Sequence, residues 1–219
     1  VGELLAAVER LGLAGNTYVI YMADNGGNPG QRGRLLRGGK GGVWEGGIRV
    51  PMIVRGPGVA VNSWCHQRVV GYDWFPTFCE LGGVAEKLPE GLEGGSLVDL
   101  LRGGSDPVKR ARPELVFHFP HYQGDAPHTA LLLGNHKLFR FYEDQSYQLF
   151  DLANDLGEQN NLVEDKPELT QKLAGLMDEY LRLVDAQFPT ANPDYDPNQP
   201  PAGKQKRKKG DRRKGKGKP

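Results

Sequence analysis

Apolar residues recur at helical spacing at the start of the chain and then in continuous β-favouring runs. A helix is predicted for residues 1–13, where four apolar positions share one face: Leu4, Leu5, Val8 and Leu11. Residues 17–22 form a mostly apolar run that ends before glycines, and residues 52–54 form a second one. A short continuous apolar run is typical of a strand buried on both faces of a parallel sheet. The order of helix, loop and strand therefore predicts an αβ unit of a doubly wound sheet.

The pattern changes after a Gly/Ser/Asp/Pro loop at residues 103–107. Four short β-type runs follow, separated by turn residues: 114–119, 129–133, 137–142 and 147–152. A helical pattern with one apolar face then occupies residues 168–184. We therefore predict a small antiparallel sheet with a helix over one face, and domains at residues 1–104 and 105–187.

Between these regions, residues 73–81 predict a short helix. Asp73 stands at its expected N-cap and Pro76 in its first turn, where no backbone donor is lost. Residues 92–101 indicate a turn followed by one or two helical turns.

The charge is divided unevenly along the 219 residues. The formal net charge is +1, but residues 204–219 hold ten Lys or Arg and one Asp, which leaves a net charge of −8 on residues 1–203. Residues 188–219 cannot bury apolar surface, so we predict a disordered tail. Such a tail either is simply solvated or binds nucleic acid or another polyanion, and the lack of aromatic residues in the basic run argues against binding of single-stranded nucleic acid.

Two cysteines, Cys65 and Cys79, match neither a disulfide framework nor a zinc pattern. We expect buried free thiols, with one disulfide as the alternative. No stretch is long and apolar enough to span a membrane, and no signal-peptide pattern opens the chain. The chain begins without Met inside a helical pattern, which indicates a fragment.

Candidate chemistry follows the first predicted strand. Asp24 and Asn25 come directly after it, and ligands of open α/β sheets bind beyond the carboxyl ends of strands. A carboxylate and an amide oxygen are hard donors that suit Ca²⁺ or Mg²⁺. The alternative is an ordinary Asp-Asn-Gly turn.

Lys40 is the second candidate, flanked by two glycines on each side in GGKGG at residues 38–42. Little side-chain bulk surrounds its ammonium, which can approach an oxyanion as a compact charge. The alternative is a solvated loop lysine.

His118 stands at the end of a predicted strand and His121 just after it, and the two could bind a metal or contact a substrate. The alternative is a hydrogen-bonded histidine at the strand end beside an exposed one. A surface loop is expected for Cys65 and His66.

Three segments together resemble the sulfatase family of the alkaline-phosphatase-like superfamily. The family pattern is a strand ending in S/T-D-N-G, followed by R-G-x-K-G-x-x-x-E-G-G-x-R-x-P. This chain has ADNG at residues 23–26, RGGKG at 37–41 and EGGIRVP at 45–51. DWFPT at 73–77 and LFDLAND at 149–155 are also similar to family segments, so the resemblance covers about residues 1–185.

The resemblance implies that Asp24 and Asn25 are Ca²⁺ ligands and that Lys40 is a catalytic and substrate-binding residue that contacts the sulfate. Ala23 replaces the usual Ser or Thr, which removes a hydroxyl but no metal ligand. The implied fold is α/β: the C-terminal portion of an alkaline-phosphatase-like doubly wound sheet, followed by the small antiparallel sheet and its helix. His121 would border the cleft and influence substrate choice.

The family's nucleophile, a formylglycine made in a C-x-P-S-R-type motif, has no counterpart here. Neither Cys65 nor Cys79 stands in that motif, so the resemblance places the nucleophile and further Ca²⁺ ligands in an N-terminal half that this chain lacks. A fragment of a sulfatase acting on sulfated small molecules or glycans, inactive alone, is therefore expected. A phosphate or phosphonate ester hydrolase of the same superfamily, or a non-catalytic polyanion-binding remnant, are the alternatives. The resemblance implies a periplasmic or secreted full-length protein.

Overall fold

A computed structural model describes residues 1–28, 35–123, 125–190 and 192–193. Its helices and strands are, in chain order, α1 Gly2–Arg10, β1 Val19–Met22, α2 Glu45–Ile48, β2 Met52–Arg55, α3 Trp74–Leu81, α4 Val98–Leu101, β3 Leu115–Phe119, β4 His128–Leu133, β5 His136–Phe141, β6 Tyr147–Asp151 and α5 Pro167–Leu183. The whole basic run at 204–219 lies outside the described residues, so the disorder of the tail stays a prediction.

Strands β3 to β6 form one antiparallel sheet in sequence order. The register places Leu131 opposite Leu138 and Leu138 opposite Leu149, so apolar residues line up across three strands. Short turns at residues 134–135 and 142–146 join β4 to β5 and β5 to β6, as the polar residues between those runs indicated. The predicted antiparallel sheet is confirmed.

Both faces of this sheet are covered. Helix α5 covers one face, and its residues Leu173, Met177 and Leu181 are at most 1% exposed against Leu131, Leu138 and Leu149. On the opposite face, Val43 and Trp44 pack against side chains from several strands: Leu115, Ala130, Leu132, Phe139 and Phe150. The sequence pattern predicted the helix that covers one face. It did not predict that the segment leading into α2 covers the other face.

Strand β1 pairs with β2 in antiparallel register, with Ile20 opposite Val54. The expectation of a strand buried on both faces of a parallel sheet is wrong for the described residues. β2 occupies one edge of β1, no further strand pairs with it in the described ranges, and Tyr21 and Met22 are 52% and 45% exposed. Helix α1 likewise has no buried residue.

Asp73 precedes α3 as predicted, but its carboxylate does not cap the helix. It accepts hydrogen bonds from the backbone of Val70 and Gly95 and forms a two-pronged ion pair with Arg110. Asp73 is fully buried, so this cation compensates a charge that would otherwise be costly.

Both cysteines are free thiols. Cys65 is exposed, as expected for a surface loop and not for a buried thiol, and Cys79 is half-buried. Among the residues described, no helix is long and apolar enough to cross a membrane.

Candidate functional site

The loop after β1 is tied by its backbone to helix α2. Asp24 is exposed and Asn25 is half-buried. The next residue, Gly26, donates its N–H to the carbonyl of Gly47 at 2.8 Å. Asp24 and Asn25 therefore follow the end of β1, in a loop whose backbone is bonded to α2.

Lys40 lies against the same loop. Its backbone N–H donates to the carbonyl of Gly27 at 2.8 Å, two residues beyond Asn25, and its side chain is exposed. Residues 27 and 40 are separated by a segment that the structure describes only in part, yet their backbones meet. The structure thus brings the loops of all three predicted residues together, while their roles stay predictions.

Glycines allow this close approach. A Cβ on Gly26 would lie 1.8 Å from the carbonyl oxygen of Gly46, and one on Gly47 would lie 2.0 Å from that of Gly42. A Cβ on Gly46 would lie 2.4 Å from the carbonyl oxygen of Arg37, which accepts the Gly46 N–H at 2.7 Å. No side chain fits at these positions, which gives the glycine-rich pattern a physical reason.

A buried ion cluster holds α2 to the four-stranded sheet. Lys137 on β5 donates to Glu45 Oε1 at 3.0 Å, and its Nζ lies 2.8 Å from Glu158 Oε1. The Glu45 backbone N–H donates to Glu158 Oε2 at 2.8 Å. Lys137 and Glu158 are fully buried, and Glu45 is 3% exposed.

Charge in this cluster is nearly balanced. Two carboxylates face one ammonium, and Arg49 lies 3.6 Å from Glu45 as a second cation. Burial raises the pKa of the Glu158 carboxyl, and the nearby Lys137 offsets part of that rise. Glu158 Oε1 has no aligned donor among the described residues, so the charge of Lys137 is its main partner.

Sequence reasoning missed Lys137 and Glu158. They are 92 and 113 residues from Glu45, and no local spacing connects them. A lysine within the apolar run of β5 was a weak signal, because a charged residue on a buried strand face needs a partner.

Trp44 is the buried residue that anchors the loop carrying Lys40 to the four-stranded sheet. It is 4% exposed, its ring lies 4.1 Å from that of Phe139, and its Nε1–H donates to Asp125 at 2.9 Å. The guanidinium of Arg37 covers the ring at 3.6 Å and donates to the Glu158 carbonyl at 2.9 Å. The loop at residues 37–44, here called the Lys40 loop, is therefore held at both ends: Trp44 contacts the sheet, and Arg37 contacts the segment after β6.

The β3–β4 connection borders the Lys40 loop. The Gln123 carbonyl oxygen lies 3.4 Å from where a Cβ of Gly41 would stand. His121, in the same connection, is exposed, with its ring 4.2 Å from that of Phe119. The connection therefore contacts the backbone directly after Lys40.

His118 is different from His121. Its ring nitrogens bond to Thr129 Oγ1 at 2.7 Å and to the Gln187 carbonyl at 2.8 Å, which is the hydrogen-bonded histidine of the alternative reading. Across the described ranges, no group of three or more His, Cys, Asp or Glu could hold a metal. Asp24 and Asn25 would therefore need ligands from elsewhere to form a Ca²⁺ site.

Comparison with known proteins assigns the family. A family model described as "N-sulphoglucosamine sulphohydrolase, C-terminal" matches residues 39–186. The chain belongs to the sulfatase family. A sulfatase from Formosa agariphila is 38% identical over 217 residues, a match that covers 87% of this chain and 38% of that protein. Bovine arylsulfatase A is 31% identical, with 87% and 42% covered.

Solved structures agree with the sulfatase fold. Ps i-CgsB in complex with k-i-k-neocarrahexaose has a TM-score of 0.67 at 26% identity, covering 86% of this chain and 41% of that one. BT4656 in complex with its substrate D-glucosamine-2-N,6-O-disulfate has a TM-score of 0.66 at 25% identity, covering 84% and 38%. The expected fold class is confirmed. The chain spans about two-fifths of the length of these sulfatases.

Proposed function

We propose that this chain is the part of a sulfate-ester hydrolase that supplies Asp24 and Asn25 to a Ca²⁺ site and Lys40 to the sulfate group. The observation that carries the proposal is the pair of backbone hydrogen bonds, Gly26 to Gly47 and Lys40 to Gly27, in a chain of the sulfatase family. They hold two oxygen donors and one ammonium on adjoining loops.

The donor chemistry fits Ca²⁺ in part. Asp24 and Asn25 offer oxygen ligands at a strand end, and Ca²⁺ takes six to eight such ligands. Two ligands make a weak site, so the rest would come from the portion of a sulfatase that this chain does not span. When bound, the ion would supply positive charge to the sulfate oxygens.

Lys40 would act on the sulfate itself. Its exposed ammonium, on a loop fixed by glycine backbone contacts, can neutralise charge that builds on the sulfate oxygens as the ester S–O bond breaks. A loop fixed before substrate arrives costs little reorganisation. The nucleophile, a formylglycine by family resemblance, would also come from outside this chain.

A sulfated glycan is the substrate class that we favour. Of the compared structures, one holds D-glucosamine-2-N,6-O-disulfate as its substrate. In this chain the β3–β4 connection, with His121, borders the Lys40 loop and would contact the alcohol part of the ester. Replacing His121 with Ala should therefore change which glycan is accepted, with less effect on a small aryl sulfate.

The isolated chain tests the incomplete site directly. Calorimetric titration with Ca²⁺ should show weak binding, with a Kd on the order of millimolar, that Asp24→Ala abolishes. The matched control, Asp106→Ala, removes an exposed carboxylate from the loop at residues 103–107 and should leave binding unchanged. The chain alone should not hydrolyse an aryl sulfate. Clear turnover above buffer, or Ca²⁺ binding that ignores Asp24→Ala, would contradict the proposal.

A further inference from the structure

The buried cluster of Glu45, Lys137 and Glu158 joins the short helix α2 to the four-stranded sheet and the segment that follows it. Glu45 begins α2, next to the glycine backbone that holds Lys40 and Gly26. Lys137 lies in the four-stranded sheet, and Glu158 follows β6. Three charged side chains at 0–3% exposure are costly to bury unless they compensate one another.

The contacts reach the Lys40 loop in two steps. Glu45 is bonded by its side chain to Lys137 and by its backbone N–H to Glu158. The next two residues of α2, Gly46 and Gly47, then hold Arg37 and Gly26 through backbone hydrogen bonds of 2.7 and 2.8 Å. Displacing Glu45 would therefore move the backbone on which the candidate site is built.

The contacts of Arg37 point the same way. Its guanidinium donates to the carbonyl of Glu158 and covers Trp44. Glu158 is thus held by groups from both ends of the Lys40 loop, through its carboxylate and its backbone. It adopts a left-handed backbone conformation at φ 54°, which is uncommon for a residue with a side chain. Surrounding contacts must maintain that conformation.

We propose that Lys137 is a positioning residue for Lys40: by compensating Glu45 and Glu158 it fixes the sulfate-binding loop to the C-terminal sheet. A hydrophobic residue at position 137 would fill the same space but would bind neither carboxylate. The burial of Lys137 and its separation from Glu45 along the chain therefore favour a positioning role over a general packing role. The importance of this positioning for activity rests on the proposed role of Lys40 in binding the sulfate. Its test measures the position of the loop without substrate, so it succeeds or fails separately from activity.

The experiment is amide hydrogen exchange of the full 219-residue chain by NMR. Three reporters are the N–H groups of Gly26, Lys40 and Gly46, which hold the loop together. In Lys137→Met, we expect their exchange to speed by on the order of a hundredfold relative to amides of strand β4, because the two carboxylates lose the cation that is buried between them. In Glu158→Gln, which keeps an oxygen acceptor for the Glu45 N–H, we expect a smaller acceleration of about tenfold at the same amides.

Arg110→Met is the matched control. It strips the buried carboxylate of Asp73 of its cation, as Lys137→Met does for the cluster, but its hydrogen bonds go to Asp73 and to the Arg68 carbonyl and not to the Lys40 loop. It should accelerate exchange near α3 and leave the ratio of the three reporters to β4 unchanged. If Lys137→Met does not fold, the Glu158→Gln variant decides. The proposal would be overturned if the exchange rates of the three reporters relative to amides of β4 stayed unchanged in Lys137→Met and Glu158→Gln. It would also be overturned if these relative rates rose as much in Arg110→Met as in the cluster variants.

Discussion

The two halves of the candidate site rest on structure that differs sharply in burial. The Lys40 loop leads into Trp44 and Glu45, which are 4% and 3% exposed against the four-stranded sheet. Asp24 and Asn25 follow β1, where Tyr21 is 52% exposed and Ile53 on the neighbouring strand is 65% exposed. One half is held by a core and an ion cluster, and the other by a two-stranded ribbon.

This difference in burial indicates which part of the fold fixes the positions of the site residues. A two-stranded antiparallel ribbon is marginally stable by itself, whereas a sheet covered on both faces holds its neighbours in place. Regions with little apolar burial also open first in local unfolding. We therefore expect the C-terminal sheet to define the position of Lys40, and the position of the proposed metal ligands Asp24 and Asn25 to depend on contacts outside the described residues.

Removing Trp44 should have the largest effect. Trp44→Ala leaves a cavity between the loop and Phe139 and also strips Arg37 of its ring contact. We expect a loss of about 3–5 kcal/mol in the free energy of unfolding, measured by urea titration. Trp64→Ala is the control, since Trp64 is 90% exposed, and it should change stability by less than about 0.5 kcal/mol. Equal losses in the two variants would show that the loop is not seated on the sheet.

Adding one methyl group to the glycine backbone comes next. Gly47→Ala places a Cβ 2.0 Å from the Gly42 carbonyl oxygen, so the loop must shift, at a cost of about 1–3 kcal/mol. Gly175→Ala in helix α5 meets nothing within 4 Å and should stabilise the chain by roughly 0.5–1 kcal/mol, as expected for a helix interior. Thermal unfolding of both variants checks the signs. A harmless Gly47→Ala would remove the physical reason for the glycine pattern.

The smallest expected effect is a pH dependence on the buried side. Burial lowers the pKa of His128, which is fully buried beside Phe139 and donates to the Ala126 carbonyl. Its folded pKa lies below the unfolded one, so its contribution is complete above the ordinary histidine pKa and is lost as the pH falls through the folded value. His128→Asn keeps a donor near that carbonyl and should show less loss of unfolding free energy between pH 7 and 5 than the wild type.

The control is His66→Asn, because His66 is exposed. It should retain the full pH dependence of the wild type. If His128→Asn and the wild type lose stability in parallel, His128 does not titrate as its burial implies.

The sequence predicted the parts of the fold that local patterns determine. Strands β3 to β6 lie within one residue of their predicted runs, because β-favouring runs separated by polar turn residues are typical of neighbouring antiparallel strands. The predicted helix at 168–184 is α5, which begins at Pro167. The apolar run of β1 was misleading for its pairing, since a continuous apolar run does not say which strand will lie beside it.

The sequence motifs predicted the residues of the candidate site, but they did not predict the contacts that support those residues. Asp24, Asn25 and Lys40 were found from their residue types and glycine context, and their loops do meet. What supports them was invisible: Lys137 and Glu158 contact Glu45 across long stretches of chain. Long-range ion clusters leave no periodic signal, so only the folded arrangement reveals them.

A chimera tests the central claim most directly: this chain joined to the part of the Formosa agariphila sulfatase that it does not span, assayed with an aryl sulfate in the presence of Ca²⁺. We expect turnover that Lys40→Met lowers by on the order of 10²–10³-fold, the cost of losing one group that stabilises an oxyanion. Lys87→Met, which removes an exposed lysine elsewhere, should leave turnover unchanged. Turnover that is as insensitive to Lys40→Met as to Lys87→Met, or a preference for phosphate esters, would contradict the account.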